Sequence, residues 1–402
     1  MQKLDRTKFK QTELGPIPEE WNIFTIQDVS EVIGGGTPST EDQENFNGNI
    51  AWITPRDLSI YKERYIFCGE RNISDKGLSS SNAKLIPKNS VLLTTRAPVG
   101  YLAISKNEMT TNQGFHSMVP NEKTSSIFLY YLLKNNVQKL VENASGSTFQ
   151  ELNGKTLKSL TFAFPTINEQ SRIATILSSL DDKIELNRQM NVTLEKIASA
   201  LFKRWFVDVD SKYTRLGTLS EICEFNPTYK LQKNTATKYV EMKNLSEASL
   251  SMDFAERVFT SGSKFMNRDT LLARITPCLE NGKTGFVDFL GSQEVGWGST
   301  EFIIMHPKKE EYAELLYILA RSNDFRDYAV QSMSGTSGRQ RVSVDALKDF
   351  ELLIPDDDVL KKFHVAVKSL FSRILLNHQE NQRLVKVRDS LLPRLMSGRI
   401  RV

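Results

Sequence analysis

Cysteine is scarce: the 402-residue chain holds three, Cys68, Cys223 and Cys278, far apart in sequence. An odd, scattered set supplies no disulfide framework and fits a reducing compartment. The four histidines, His116, His306, His364 and His378, keep no metal-ligand spacing with the cysteines, so no metal site is expected. No apolar run reaches the ~18 residues of a membrane span. The opening MQKLDRTKFKQTELG has no apolar signal core. A soluble, cytoplasmic protein is therefore expected. A large excess of one charge is also missing, since 52 Lys+Arg stand against 48 Asp+Glu, a net +4. An anionic partner would have to be held by the placement of charge, not by its total. What is present is an ordinary globular composition, 40% hydrophobic, and length enough for two or three domains with real cores.

The chain is one plan written twice. Pro165 ends LKSLTFAFP and Pro355 ends LKDFELLIP, and the step from 165 to 355 carries the following helix without a gap. Leu180, Ile184, Leu186, Asn187, Gln189, Asn191, Leu194, Lys196, Leu201 and Arg204 meet Leu370, Ile374, Leu376, Asn377, Gln379, Asn381, Leu384, Lys386, Leu391 and Arg394. At the start of each copy the same step sets Val29-Ser30-Glu31-Val32 on Leu219-Ser220-Glu221-Ile222. Between these anchors the copies diverge. LLTTRAPVG (92–100) lies only roughly on LLARITPCLENGKTG (271–285), and GSTFQELNGKTL (146–157) is similar to SGTSGRQRVSVDAL (334–347). A repeated frame with a dissimilar middle suits a scaffold carrying two different readers; a duplicated domain that merely drifted would read the same way.

Each copy opens with short β-type runs broken by Gly, Pro, Asn and Ser. These are IAWITP, SVLLTT, GYLAIS and FHSMVP, then FTSG, TLLARI, TGFVDFL and EFIIMHP. A helix is predicted over 128–143 and over 313–329, then a Ser/Gly turn, a last strand and a long helix. Residues 167–206 contain no Pro or Gly, and a heptad seam runs through Ile173, Leu177, Leu180, Ile184, Asn187, Asn191, Leu194, Ala198, Leu201 and Trp205. The second seam is Phe363, Val367, Leu370, Ile374, Asn377, Asn381, Leu384, Arg388, Leu391 and Leu395, with Pro393 and Gly398 expected to loosen its end. Packed antiparallel, the helices pair Asn187 with Asn381, Asn191 with Asn377, Ile184 with Leu384, Leu194 with Ile374, Leu177 with Leu391 and Trp205 with Phe363. Shifting by a heptad strands the amides at about 1–3 kcal/mol each. The asparagines fix register; the antiparallel direction is chosen because it relates the copies by a pseudo-twofold axis. A helix of this length spans roughly 60 Å, which suits heads set one to two DNA turns apart at ~34 Å per turn.

At this point the chain resembles a known family. NEQSRIATILSSLDDKIELNRQMNVTLEKIASALFKRWFVDVD (168–210) is similar to the central conserved region of type I restriction-modification specificity subunits. SLLPRLMSGRIRV (390–402) resembles their ending, LGPIPEEWNIFTIQDVSEVIGGGTPST (14–40) their opening, and LLTTRAPVG and LLARITPCLENGKTG segments of their target-recognition domains. The resemblance implies an α+β fold of two mixed α/β target-recognition domains in tandem repeat, each followed by a long helix, the helices forming an antiparallel coiled coil. The divisions expected are 1–165 and 209–355 for recognition, 166–208 and 356–402 for the helices. It implies recognition of a bipartite double-stranded DNA target by a chain that is not itself an enzyme and binds no cofactor. By the same resemblance, two modification subunits, which methylate adenine with S-adenosylmethionine, are expected to dock on the helices. Restriction subunits that translocate and cleave DNA with ATP and magnesium join some such assemblies.

Phosphate contacts should supply affinity and base edges specificity. In the first head the candidates are Gly35, Gly36, Thr37 and Ser39, where glycine permits close backbone approach and hydroxyls can bond. Arg56 and Arg96 suit guanine or phosphate, and the amides of Asn112 and Gln113 suit adenine; Ser147 and Thr148 lie in the Ser/Gly turn. In the second head they are Asn226, Lys243, Asn244, Arg274, Lys283, Thr336, Arg339 and Gln340. Asn226-Pro227-Thr228-Tyr229 approaches the Asn-Pro-Pro-Tyr motif of amino-methyltransferases, but its third proline is missing and no glycine-rich cofactor loop precedes it. A coiled-coil DNA regulator is the other competing reading. Arg172, Lys183, Arg188, Lys196, Lys368 and Arg383 on the backs of the helices would be the docking face of a specificity subunit.

Overall fold

The computed structural model describes residues 8–61, 63–146, 150–208, 214–336 and 338–402. The chain forms two compact units, Met1–Glu185 with Arg383–Val402, and Leu186–Gln382. In each, a mixed α/β head is packed on segments of two long helices, Ile167–Phe202 and Asp357–Met396.

In the first unit the main sheet runs in the order Ser30–Gly34, Phe115–Pro120, Val91–Thr95, Val99–Ser105, Tyr65–Ile66. All five residues of Val91–Thr95 are buried, because both sheet faces are covered. The two-residue period sends Val91 and Leu93 into a core with Phe128, Tyr131, Leu177 and Leu395, while Leu92 faces Ile53, Ala103 and Phe115. Each fully buried side chain of this size contributes about 1.5–3 kcal/mol. A second sheet runs Thr110–Thr111, Phe46–Ile53, Arg71–Ile73, its first pair parallel.

The second unit repeats this order. Its main sheet is Cys223–Phe225, Phe302–Pro307, Thr270–Ala273, Thr284–Phe286, and its other sheet again holds a parallel pair, Ala236–Val240 with Gly296–Gly298. The middles that differ in sequence therefore fold on one plan. LLTTRAP and LLARITP lie on one another residue for residue, since Phe115 pairs with Thr94 as Phe302 pairs with Ala273. The peptide bonds Ala97–Pro98 and Thr276–Pro277 are both cis. The uneven part is confined to the following turn, where the second copy has the longer path to its next strand.

The long helices are antiparallel. Asn187 Nδ2 donates to Asn381 Oδ1 at 2.9 Å, and Asn377 Nδ2 donates to Asn191 Oδ1 at 2.8 Å. Trp205 and Phe363 lie with ring centroids 6.0 Å apart. The register is the one the asparagines specify, and every residue of both predicted seams is buried or half-buried. Asn191 Nδ2 also donates to the Ile374 carbonyl, whereas Asn187 Oδ1 accepts no hydrogen bond.

Four local expectations are corrected. The helix expected over 128–143 is two, Ser126–Asn135 and Val137–Glu142, and that over 313–329 is Ala313–Arg321 and Asn323–Gln331. Ser322 is extended and its hydroxyl accepts from Phe325 N–H, so it starts a new helix instead of continuing the old one. The opening anchors are displaced by three residues: Thr25 and Asp28 form the capping box of Ile26–Val29, and Thr218 and Glu221 that of Leu219–Ile222. A capped first turn therefore outweighs the shared Ser-Glu pair as the guide to alignment. FTSG is no strand, since Phe259–Gly262 links Ala255–Val258 to Ser263–Phe265. Finally, Pro393 does not loosen the second helix, which continues through it to Met396 before Gly398 at φ +68° turns the chain.

Candidate nucleic-acid interface

In the first head the polar candidates gather where Phe46–Ile53 and Thr110–Thr111 end and Phe115–Pro120 begins. Asn112 is tied to the strand end by its N–H to the Ile53 carbonyl, and its Oδ1 accepts from Gly114 N–H at 2.9 Å, which fixes the turn. That turn leaves Gln113 exposed, hydrogen-bonded to exposed Thr37. Arg56 opens the helix Pro55–Ile60 behind the Thr54/Asp57 capping box, exposed, 3.7 Å from Glu70. Arg96 is half-buried, 4.0 Å from Glu151. The glycines serve the head itself. A Cβ on Gly35 would lie 2.0 Å from the Asn112 carbonyl, and one on Gly36 2.2 Å from Ala83 N. Gly36 is buried and its carbonyl accepts from Trp52 Nε1, so the close approach expected of these glycines is to their own chain. Ser39 is exposed and its carbonyl accepts from Asn45 Nδ2. Ser147 and Thr148 lie outside the described residues.

The second head has a counterpart for most of this. Lys243 and Asn244 follow strand Ala236–Val240 in a capped turn, Glu241 N–H donating to Asn244 Oδ1. Lys243, exposed, holds Glu241 at 2.6 Å and stands where Arg56 stands. Arg274 ends its strand half-buried with no partner for Nε. Thr336 and Arg339 are exposed, and the Gln340 carbonyl accepts from Thr276 N–H. Lys283 is half-buried in the longer turn. Asn226, at φ +49°, is bound on both sides of Ile304: its N–H donates to that carbonyl and its Oδ1 accepts from that N–H. Tyr229 Oη lies 3.2 Å from the buried Asp269 carboxylate, which holds His306 Nδ1 at 2.7 Å and raises its pKa. The Asn226 oxygen and the Tyr229 hydroxyl of the Asn-Pro-Thr-Tyr segment are thus engaged by their own head, while Asn226 and Thr228 are themselves exposed.

Sequence reading passed over the turn Ser299-Thr300-Glu301 and Arg341. Ser299 Oγ accepts from Glu301 N–H at 3.2 Å, as Asn112 does from Gly114. Arg341 Nε and Nη2 grip Glu301 at 2.9 and 2.7 Å, a fork that holds the carboxyl below the usual carboxylate range. Each head ends its sheet with a short polar segment just before the strand at Phe115 or Phe302; that placement was the available signal.

The matching family model, described as a type I restriction modification DNA specificity domain, covers residues 18–196. The MjaIX specificity subunit of Methanocaldococcus jannaschii is 33% identical over 98% of this chain and 97% of its own. The HindI specificity subunit of Haemophilus influenzae is 24% identical over 95% of this chain and 100% of its own. In fold, the chain is similar to the crystal structure of a type I restriction-modification S subunit from M. genitalium, with TM-score 0.60, 17% identity, and 97% and 98% of the two chains covered. With sequence likeness over nearly its whole length and the doubled head-and-helix fold, this chain belongs to the type I restriction enzyme specificity subunits, which have a non-catalytic role.

Proposed function

We propose that the chain selects a bipartite DNA sequence, one half read by residues 1–165 and the other by 209–355, while 166–208 and 356–402 hold the readers in register. The observation that carries this is the repetition of one sheet order in both heads with different polar groups at their rims. Arg56, Arg96, Asn112, Gln113, Thr37, Lys243, Asn244, Arg274, Thr336, Arg339 and Gln340 are the DNA-facing groups of this reading. The nearly balanced charge suits DNA held jointly with partners better than tight binding by the chain alone.

The partners are two modification subunits, joined in some such assemblies by restriction subunits; S-adenosylmethionine, ATP and magnesium belong to them. Stoichiometry of two is favoured by equivalent exposed apolar groups on the helices. Leu186 and Leu376 are 53% and 57% exposed, and Ile197 and Val387 are 43% and 47%. Isolated exposed apolar groups are common; the same pair at matching positions on both helices suits two copies of one partner. Among the charged candidates for this face, Lys368 already holds Glu310 at 3.0 Å.

The test is co-expression with the modification subunit of the same system and mapping of methylated adenines by single-molecule sequencing. A bipartite motif with an unread gap is expected, and replacing residues 30–160 by those of a relative should alter one half alone. A single continuous motif would overturn the two-reader reading and favour a coiled-coil regulator.

A further inference from the structure

The two heads share more than sheet order at their rims. Thr95 N–H donates to the Gly114 carbonyl at 2.8 Å, and Arg274 N–H to the Glu301 carbonyl at 3.0 Å. Leu152 N–H donates to Thr95, and Val342 N–H to Arg274. Phe115 N–H donates to the Asn112 carbonyl, and Phe302 N–H to that of Ser299, both at 3.2 Å. Arg96 and Glu151 form an isolated antiparallel bridge, and so do Ile275 and Arg341. These backbone hydrogen bonds recur in both heads, and they set the equivalences without help from sequence identity.

On this common backbone the side chains divide into two kinds. At the head of the capped turn both units place an exposed cation, Arg56 or Lys243. Around the turn they differ in chemistry at each step: Gln113 against Thr300, Gly114 against Glu301, Thr95 against Arg274, and Glu151 against Arg341. Phosphates are alike in both half-sites, so a phosphate contact needs the same group in each head; bases differ, so base contacts need different ones. The replacements also have the right vocabulary, since amide suits adenine, carboxylate suits the cytosine amino group and guanidinium suits guanine. The Glu301–Arg341 fork remains reachable, at 27% and 40% side-chain exposure, with its geometry set before DNA arrives.

We propose that Thr300, Glu301 and Arg341 are specificity-determining residues of the second head, with Gln113 as the counterpart of Thr300 in the first, and that Arg56 and Lys243 grip phosphate. This rests on the two-reader reading and assigns its base-contacting edge.

The experiment compares methylation motifs of the unaltered complex with those of complexes carrying Thr300→Gln, Glu301→Gln or Lys243→Ala. Thr300 is exposed, so its replacement leaves folding intact, and Gln at 301 keeps the shape that meets Arg341. Thr300→Gln and Glu301→Gln should each change base preference within one half-motif by about five- to a hundredfold, leaving the other half as it was. Lys243→Ala should lower methylation at every site alike, with the motif intact. An unchanged bipartite motif from both turn variants overturns the assignment alone. So does loss of all methylation by Glu301→Gln beside a silent Thr300→Gln, or a motif altered by Lys243→Ala. A continuous motif from the unaltered complex sinks the two-reader reading and this assignment with it.

Discussion

At one junction with the long helices the head of the first unit uses buried charge, where the second packs aromatic rings around Tyr317, whose hydroxyl reaches Glu195 at 3.4 Å. Tyr131 donates to Asp181 at 2.6 Å, and Asp181 also accepts from Arg388 at 2.6 Å, with Lys134 nearby. Burial pushes the Asp181 carboxyl up, but Lys134, the Tyr131 hydroxyl and Arg388 outweigh it and hold it below its ordinary value. Arg64, with its side chain 5% exposed, adds a pair to Asp182 at 2.5 Å. One repeat later, Tyr317 packs edge-on against Phe371 at 5.5 Å, and Phe371 against Phe286 at 5.2 Å. Asp181, Arg388 and Lys134 have become Phe371, Ala198 and Ala320, all buried. The same backbone thus supports two solutions for one junction. The ionic one contributes geometry at a desolvation cost, and the aromatic one contributes burial directly.

The largest effect expected is from Phe371→Ala, which empties the aromatic junction and should cost about 3–5 kcal/mol. Denaturant midpoints should fall, with hydrogen exchange rising in 186–382 first; equal loosening of both units would break the comparison. Next, Asp181→Ala leaves Lys134 and the Tyr131 hydroxyl without their anion and Arg388 with Asp389 alone, at about 3 kcal/mol. The triple change Asp181→Phe, Arg388→Ala and Lys134→Ala writes the second unit's chemistry into the first. It should regain most of that loss, and a result no better than the single variant would show that the two backbones do not accept each other's side chains.

The smallest effect is a pH dependence in the second unit, where a carboxyl near the helix is a liability. Asp288 lines a cleft with Phe254, Phe289, His378 and Gln382. Burial raises its pKa to about 6, against weaker opposing pulls from His378 and Arg268. A raised carboxyl binds its proton more tightly in the folded state, so stability falls as pH rises from about 4 to 6 and the full penalty stands above that. Asp288→Asn should stabilise by roughly 1–3 kcal/mol at pH 8 and by little at pH 4. A gain independent of pH would assign the effect to packing instead.

Much of the architecture was legible because it repeats. The step from Pro165 to Pro355 exposed the duplication, and the asparagines at 187, 191, 377 and 381 gave the register that the hydrogen bonds display. The rims were less legible. Gly35 and Gly36 read as room for DNA but are filled by residues 82–83 and 111–112 of their own head. LLTTRAPVG and LLARITPCLENGKTG could be laid on one another only roughly, and the hydrogen bonds set Arg274 opposite Thr95 and Ile275 opposite Arg96. Thr300, Glu301 and Arg341 carried no motif at all, since a turn closed by Asn in one copy is closed by Ser in the other.

By itself the sequence determined the number of heads, the long helices, their seam and its register, because heptad spacing and buried amides are local or pairwise constraints that leave a periodic trace. Only the tertiary structure decided which residues of the dissimilar middles correspond. That correspondence is set by backbone hydrogen bonds between segments far apart in the chain, and those bonds are indifferent to the side chains on which the two heads differ.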